Sequence, residues 1–236
     1  MADFLLIHGS CHGAWCWRDL IPALEARGHR ARAIDLPGHG DDPTPYNAVT
    51  LEGYAQAIVD AIDTPVMLVG HSMAGFPISL AAEMAPEKIA RLIYLCAYAA
   101  QGGRSLVEMR AEAPRQPMAD AAIRTEDGLA FRVDLTKAPG LFYNDCPAEA
   151  VDYALPRLCI QAIKPQATPI GLGEAYAGVK RSYIRCDNDQ TIPPEYQRTM
   201  TEGWPAADVY AMPTGHSPFF ADPDGLADLL TQIAEG

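Results

Sequence analysis

Basic side chains are scarce in this 236-residue sequence: 18 lysines and arginines stand against 30 aspartates and glutamates, leaving a formal net charge of −12. No Lys/Arg cluster interrupts that acidic field, so a polyanion is repelled rather than gathered, and nucleic acid is excluded as a partner. No apolar run approaches the roughly 18 residues that a membrane span needs, and no membrane association is expected. Met1-Ala2-Asp3 leads at once into Phe4-Leu5-Leu6-Ile7, without a basic stretch or a small-residue cleavage site, so no secretory leader is expected. The six cysteines (Cys11, Cys16, Cys96, Cys146, Cys159 and Cys186) never form a Cys-x-x-Cys pair. Scattered in this way they read as buried thiols, neither a disulfide framework nor a zinc site. A cytoplasmic setting follows as the default. Low-complexity tracts and internal repeats are also missing.

What is present is an ordinary globular composition, 49% hydrophobic and 20% charged, in a chain long enough for one substantial core. Short apolar runs alternate with amphipathic stretches, the pattern of βαβ units and a mainly parallel sheet. Strands are expected at 4–7, 31–36, 66–69, 92–96, 182–185 and 208–212. Helices are expected over 15–26, after Thr50 as N-cap, over 74–84, after Pro193-Pro194, and over 223–233. Between 102 and 179, Pro114, Pro117, Pro139, Pro147, Pro156, Pro165 and Pro169 punctuate short helical pieces. A structureless loop of that length is improbable inside a compact domain, so 102–179 reads as an inserted, mostly helical cap. The core is then 1–101 with 180–236.

The strongest local signal is Gly70-His71-Ser72-Met73-Ala74-Gly75, set directly after the apolar run Val66-Met67-Leu68-Val69 and before an apolar helix. A strand that turns sharply into a helix through Gly-x-Ser-x-Gly/Ala presents its serine as a nucleophile at the sheet's carboxyl edge. The turn is crowded, which explains Gly70 and tolerates Ala74. The N–H of Met73 at the helix start is the natural donor to a developing oxyanion. Ser10, behind Ile7-His8-Gly9 at the end of the first strand, would supply the second N–H.

A serine hydroxyl needs an adjacent base, and the base an orienting acid. Of six histidines, only His216 lies downstream of Ser72, in a loop between a strand and the last helix. His8 and His12 read as imidazoles bonded to their own loops, His29 as a surface residue, His39 as part of a Pro-Gly-His-Gly turn. The ring of His71 should point away from the neighbouring hydroxyl. For the acid, Asp187 and Asp189 both follow the preceding strand. Asp189 lies further into the loop and Asp187 is suited to organising the turn, but spacing alone leaves both open.

Three segments resemble the plant methylesterase and hydroxynitrile lyase family and its bacterial esterase relatives: His8 to Trp17, Gly70 to Gly75, and Cys186 to Gln197. Leu141-Phe142-Tyr143-Asn144-Asp145-Cys146-Pro147 is similar to that family's cap. The resemblance implies an α/β-hydrolase fold, Asp189 as the acid, and Ser10 and Met73 as oxyanion donors. Lyases of the family keep a lysine directly after the catalytic histidine to stabilise departing cyanide; here that position is Ser217.

The expectation is therefore a serine carboxylic-ester hydrolase with Ser72, His216 and Asp189, working through an acyl-enzyme without metal or organic cofactor. Met118, Phe131, Leu141, Phe142, Tyr143, Tyr153 and Leu155 are the candidate pocket residues of the cap, suited to a small apolar or aromatic ester. Alternatives are a hydroxynitrile lyase, a carbon–carbon bond hydrolase, a perhydrolase, or a ligand-binding protein retaining the pocket. A homodimer is left open.

Overall fold

The computed structural model describes residues 1–236. Six parallel strands form the central sheet: β1 (Asp3–Ile7), β2 (Arg30–Ile34), β3 (Val66–His71), β4 (Ile89–Leu95), β8 (Arg181–Cys186) and β9 (Val209–Met212). They lie side by side as β2-β1-β3-β4-β8-β9. Alternation along the strands sends Leu5, Ile7 and Leu68 into one apolar layer and Phe4, Leu6, Met67 and Val69 into the other. Both faces are covered, which is why these strands read as continuous apolar runs.

The helices α1 (Leu20–Ala26), α2 (Leu51–Asp60) and α3 (Gly75–Met84) divide between those layers. Leu20 and Leu24 of α1 share one with Leu226, Leu230 and Ile233 of the C-terminal helix Pro223–Glu235; Leu51, Tyr54 and Ile58 of α2 share the other with Phe76 and Ile78 of α3. Thr50 caps α2, its Oγ1 accepting the Gly53 N–H at 3.0 Å. The helix expected over 15–26 is instead a 3-10 turn at Ala14–Trp17 followed by α1.

Two further differences from the sequence reading have physical causes. Residues between β4 and β8 hold short helices, but also an antiparallel sheet of β5 (Ala122–Arg124), β6 (Ala130–Val133) and β7 (Gln161–Ala162). His29 is buried, because the C-terminal helix covers it: its Nδ1 accepts the Ala2 N–H at 3.1 Å and its Nε2 lies 3.0 Å from Thr231 Oγ1.

The chain steps outward from β1 to β2 on one side and from β3 to β4 on the other. The strand order thus reverses between β1 and β3, and in open α/β sheets the crevice at the carboxyl end of such a switch is where ligands bind. Ser10 follows β1 and Ser72 follows β3, one on each side of it.

Candidate active site

Ser72 sits where β3 breaks into a 3-10 turn (Ser72–Ala74) that runs on into α3. Its φ is +57°, in the left-handed region that costs a residue with a side chain about 1–2 kcal/mol. Close packing holds it there. The Ser72 carbonyl accepts the Tyr98 N–H at 3.0 Å. A Cβ on Gly75 would run into the Tyr98 carbonyl, and one on Gly9 would come within 2.9 Å of Ser72 Cβ. Gly70 faces Ile78, where a Cβ would stand 2.7 Å from Cδ1.

The Ser72 hydroxyl lies 3.1 Å from Nε2 of His216, whose Nδ1 lies 2.8 Å from Oδ2 of Asp189. All three are buried, Asp189 completely. The Asp189 carboxylate accepts the hydrogen bond from Nδ1–H, which leaves the Nε2 lone pair facing the hydroxyl. Asp189 also accepts the N–H groups of Thr191 (2.7 Å) and Ile192 (3.0 Å) on Oδ1, and Nε2 of Gln197 (2.9 Å) on Oδ2. Gln197 is pinned in turn: its Oε1 accepts the Cys186 N–H and its Nε2 donates to the Ile192 carbonyl. Asp187 points elsewhere, to an ion pair with Arg198 at 3.1 Å.

The ring of His71 turns away from the Ser72 hydroxyl. Its Nε2–H donates to the His216 carbonyl at 2.8 Å and so ties the serine turn to the histidine loop. His8 bonds the Gly9 carbonyl and accepts the Leu36 N–H. His12 donates Nδ1–H to the Ser10 carbonyl at 2.7 Å, leaving Nε2 to accept the Tyr143 hydroxyl at 2.8 Å. His39 meets Gln161 Oε1 at 3.0 Å. Burial holds His8 and His71 well below the usual imidazole range and brings His12 down to about 4. These imidazoles are neutral at pH 7, so they add no charge around His216.

His71, Cys96 and His216 come close enough to share a metal ion. The donor set does not suit one: His71 Nε2 and both His216 nitrogens are engaged, and burial raises the Cys96 thiol well above its ordinary value.

A narrow cavity of about 40 Å³ opens over Ser72 and His216, with Ser10 and Met73 in its wall. Met118, Phe131 and Phe142 also line it. The other expected pocket residues, Leu141, Tyr143, Tyr153 and Leu155, do not. Tyr143 is turned onto His12, Tyr153 lies between Arg18 and Arg157, and Leu155 packs at the edge of the apolar layer. Leu141 offers its carbonyl to Thr191 instead of its side chain to the cavity. The lining includes His12, Tyr98, Leu106, Arg110, Gln166 and Ile192, which the sequence reading did not select. Of these, His12 and Ile192 stood in segments already singled out.

Residues 4–229 match the model of the alpha/beta hydrolase family. Methylesterase 1 of Arabidopsis thaliana is 33% identical, over 98% of this chain and 95% of that protein. Esterase PIR7B of Oryza sativa subsp. japonica is 31% identical over 98% of this chain and 95% of its own. Among solved structures, a pyrethroid hydrolase from Sphingobium faniae JZ-2 superposes with a TM-score of 0.89 at 29% identity, covering 100% of this chain and 98% of that one.

Proposed function

The chain belongs to the α/β-hydrolase family, in its methylesterase group, and is a carboxylesterase-type hydrolase; from that premise we propose that it cleaves small apolar or aromatic esters through an acyl-enzyme on Ser72. The observation that carries this reading is the hydrogen-bonded row Ser72–His216–Asp189, buried beneath a cavity.

In the proposed reaction, Ser72 Oγ attacks the ester carbonyl while His216 Nε2 takes its proton. Asp189 holds the imidazole in the Nδ1–H tautomer and stabilises the imidazolium that forms. The backbone N–H groups of Ser10 and Met73 receive the oxyanion. Met73 is suited to this because the first N–H groups of a helical segment have no partner within it. His216 then protonates the departing alcohol and activates the water that releases the acid. The narrow inner cavity supports a small alcohol or acyl part beside the serine. The methylesterase names of the relatives point to the same end of the substrate range. The six free thiols support the proposed cytoplasmic setting.

Ser72→Ala should abolish turnover of p-nitrophenyl acetate and labelling by a fluorophosphonate; undiminished turnover would overturn the assignment. A chain-length series of nitrophenyl esters should peak at short acyl groups, and a maximum at palmitate would reverse the size argument.

A further inference from the structure

The catalytic cavity shares part of its lining with a larger neighbour. Arg110, Met118, Phe131 and Gln166 line it and equally line a second cavity of about 400 Å³, ten times as large. These four side chains border both cavities, so a substrate with its ester at Ser72 reaches the outer one only past them.

The charge in the outer cavity is unusual for this molecule. The chain carries an excess of acid, yet the outer wall holds two arginines, Arg110 and Arg124, and no aspartate or glutamate. Eight of the fourteen arginines are paired with carboxylates; Arg110 and Arg124 are among the six that are not, and the only two of those that line this cavity. The acids nearest Arg110 in the chain are already engaged. Glu108 closes the N-terminus of helix Leu106–Ala111 by accepting from Ser105, and Glu112 takes Arg104. Arg110 is half-buried at the cavity junction, and its guanidinium donors have no protein acceptor. An arginine in that position presents a planar fork matched to an oxyanion of the ligand.

We propose that the ester substrate carries a carboxylate at the end remote from the scissile bond, received by Arg110 with Arg124 alongside. The chemical class is the hemi-ester of a dicarboxylic acid: an apolar or aromatic ester end in the inner cavity, and an anionic end in the outer one. This inference rests on the esterase reading above and adds, to its apolar or aromatic ester, a charge at the outer end.

The test compares the monomethyl hemi-ester and the dimethyl ester of one aromatic dicarboxylic acid. The wild-type protein should favour the hemi-ester in kcat/KM by roughly ten- to a hundredfold, the range of one charge-assisted hydrogen bond. The preference should reside mainly in KM and shrink as salt is raised. In the double variant R110Q/R124Q the ratio should fall to about one, and R110K should keep part of it. Equal rates on the two esters in the wild-type protein, or a preference that survives the double variant, would overturn the inference while leaving the esterase reading intact. Binding of the hemi-ester to Ser72→Ala, measured by calorimetry, should weaken when R110Q is added, and unchanged affinity would also count against Arg110. Failure of the wild-type protein to cleave either ester or p-nitrophenyl acetate would overturn both readings together.

Discussion

Acidification should weaken this fold well before its carboxylates begin to titrate. His8, His12 and His71 are buried and hydrogen-bonded as neutral imidazoles, with His12 displaced from 6.5 to about 4 and the other two pushed well down, in each case chiefly by burial. Unfolded, each recovers an ordinary value near 6.5. Below that pH the unfolded chain binds protons that the folded chain refuses, so stability falls as pH falls. The window runs from about 6.5 down to the folded values, near 4 for His12. At pH 5.5 an unfolded imidazole is almost fully protonated one unit below its pKa, and for His12, folded near 4, this costs the fold about 1.4 kcal/mol. His8 and His71 pull in the same direction, so the loss is a sizeable part of the ~5–15 kcal/mol that holds a typical domain. His29 and His39 are displaced in the same direction and add to it. For a chain of this length the His12 contribution alone corresponds to roughly 3–6 °C in Tm between pH 8 and pH 5.5, and the other buried imidazoles add to it. Differential scanning calorimetry or urea titration across that range reads it directly. His12→Asn should remove part of the pH dependence, since it deletes one of the protons taken up on unfolding. A Tm that stays level from pH 8 to 5.5 would refute the argument.

Two substitutions probe the site itself. Gly9→Ala places a methyl 2.9 Å from Ser72 Cβ and 2.8 Å from His71 Nδ1, so kcat on a nitrophenyl ester should fall at least about tenfold with a smaller change in Tm; unaltered kcat would show that the loop yields without cost. Gln197→Ala strips one donor from the completely buried Asp189 and leaves the Cys186 N–H and Ile192 carbonyl without partners, which should destabilise by about 1–3 kcal/mol and move the acid limb of the kcat/KM–pH profile. A profile and stability identical to the wild type would mean that water replaces the amide.

Parallel strands buried on both faces are simple to read, because Phe4 to Ile7 and Val66 to Val69 are apolar at every position. The meeting of Ser72 and His216 was legible for a related reason: the chemistry proposed for them limits which residues follow such strands. Residues 102–179, read as an inserted cap, were harder. Its prolines suggested helical pieces only, and the hairpin of β5 and β6 is short and partly exposed, although Asp127-Gly128, with Gly128 at φ +71°, is a turn signal that periodicity alone did not weigh. The cavity lining was the least legible. Tyr143 meets His12 across 131 positions of chain, and nothing local tells an aromatic side chain of a short helix whether it will face a histidine or a ligand. Arg110 stayed out of view because an arginine on an amphipathic helix looks the same in sequence whether or not its neighbours have already claimed the available acids.

The left-handed backbone at residue 72 sets durability against turnover. Glycine adopts that conformation without penalty, so a glycine there would relieve the fold of about 1 kcal/mol while deleting the hydroxyl. On the role proposed for Ser72, a library of variants screened only for survival on heating would thus be drawn toward inert molecules at this very residue. Any effort to harden the protein then has to score product formation in the same round.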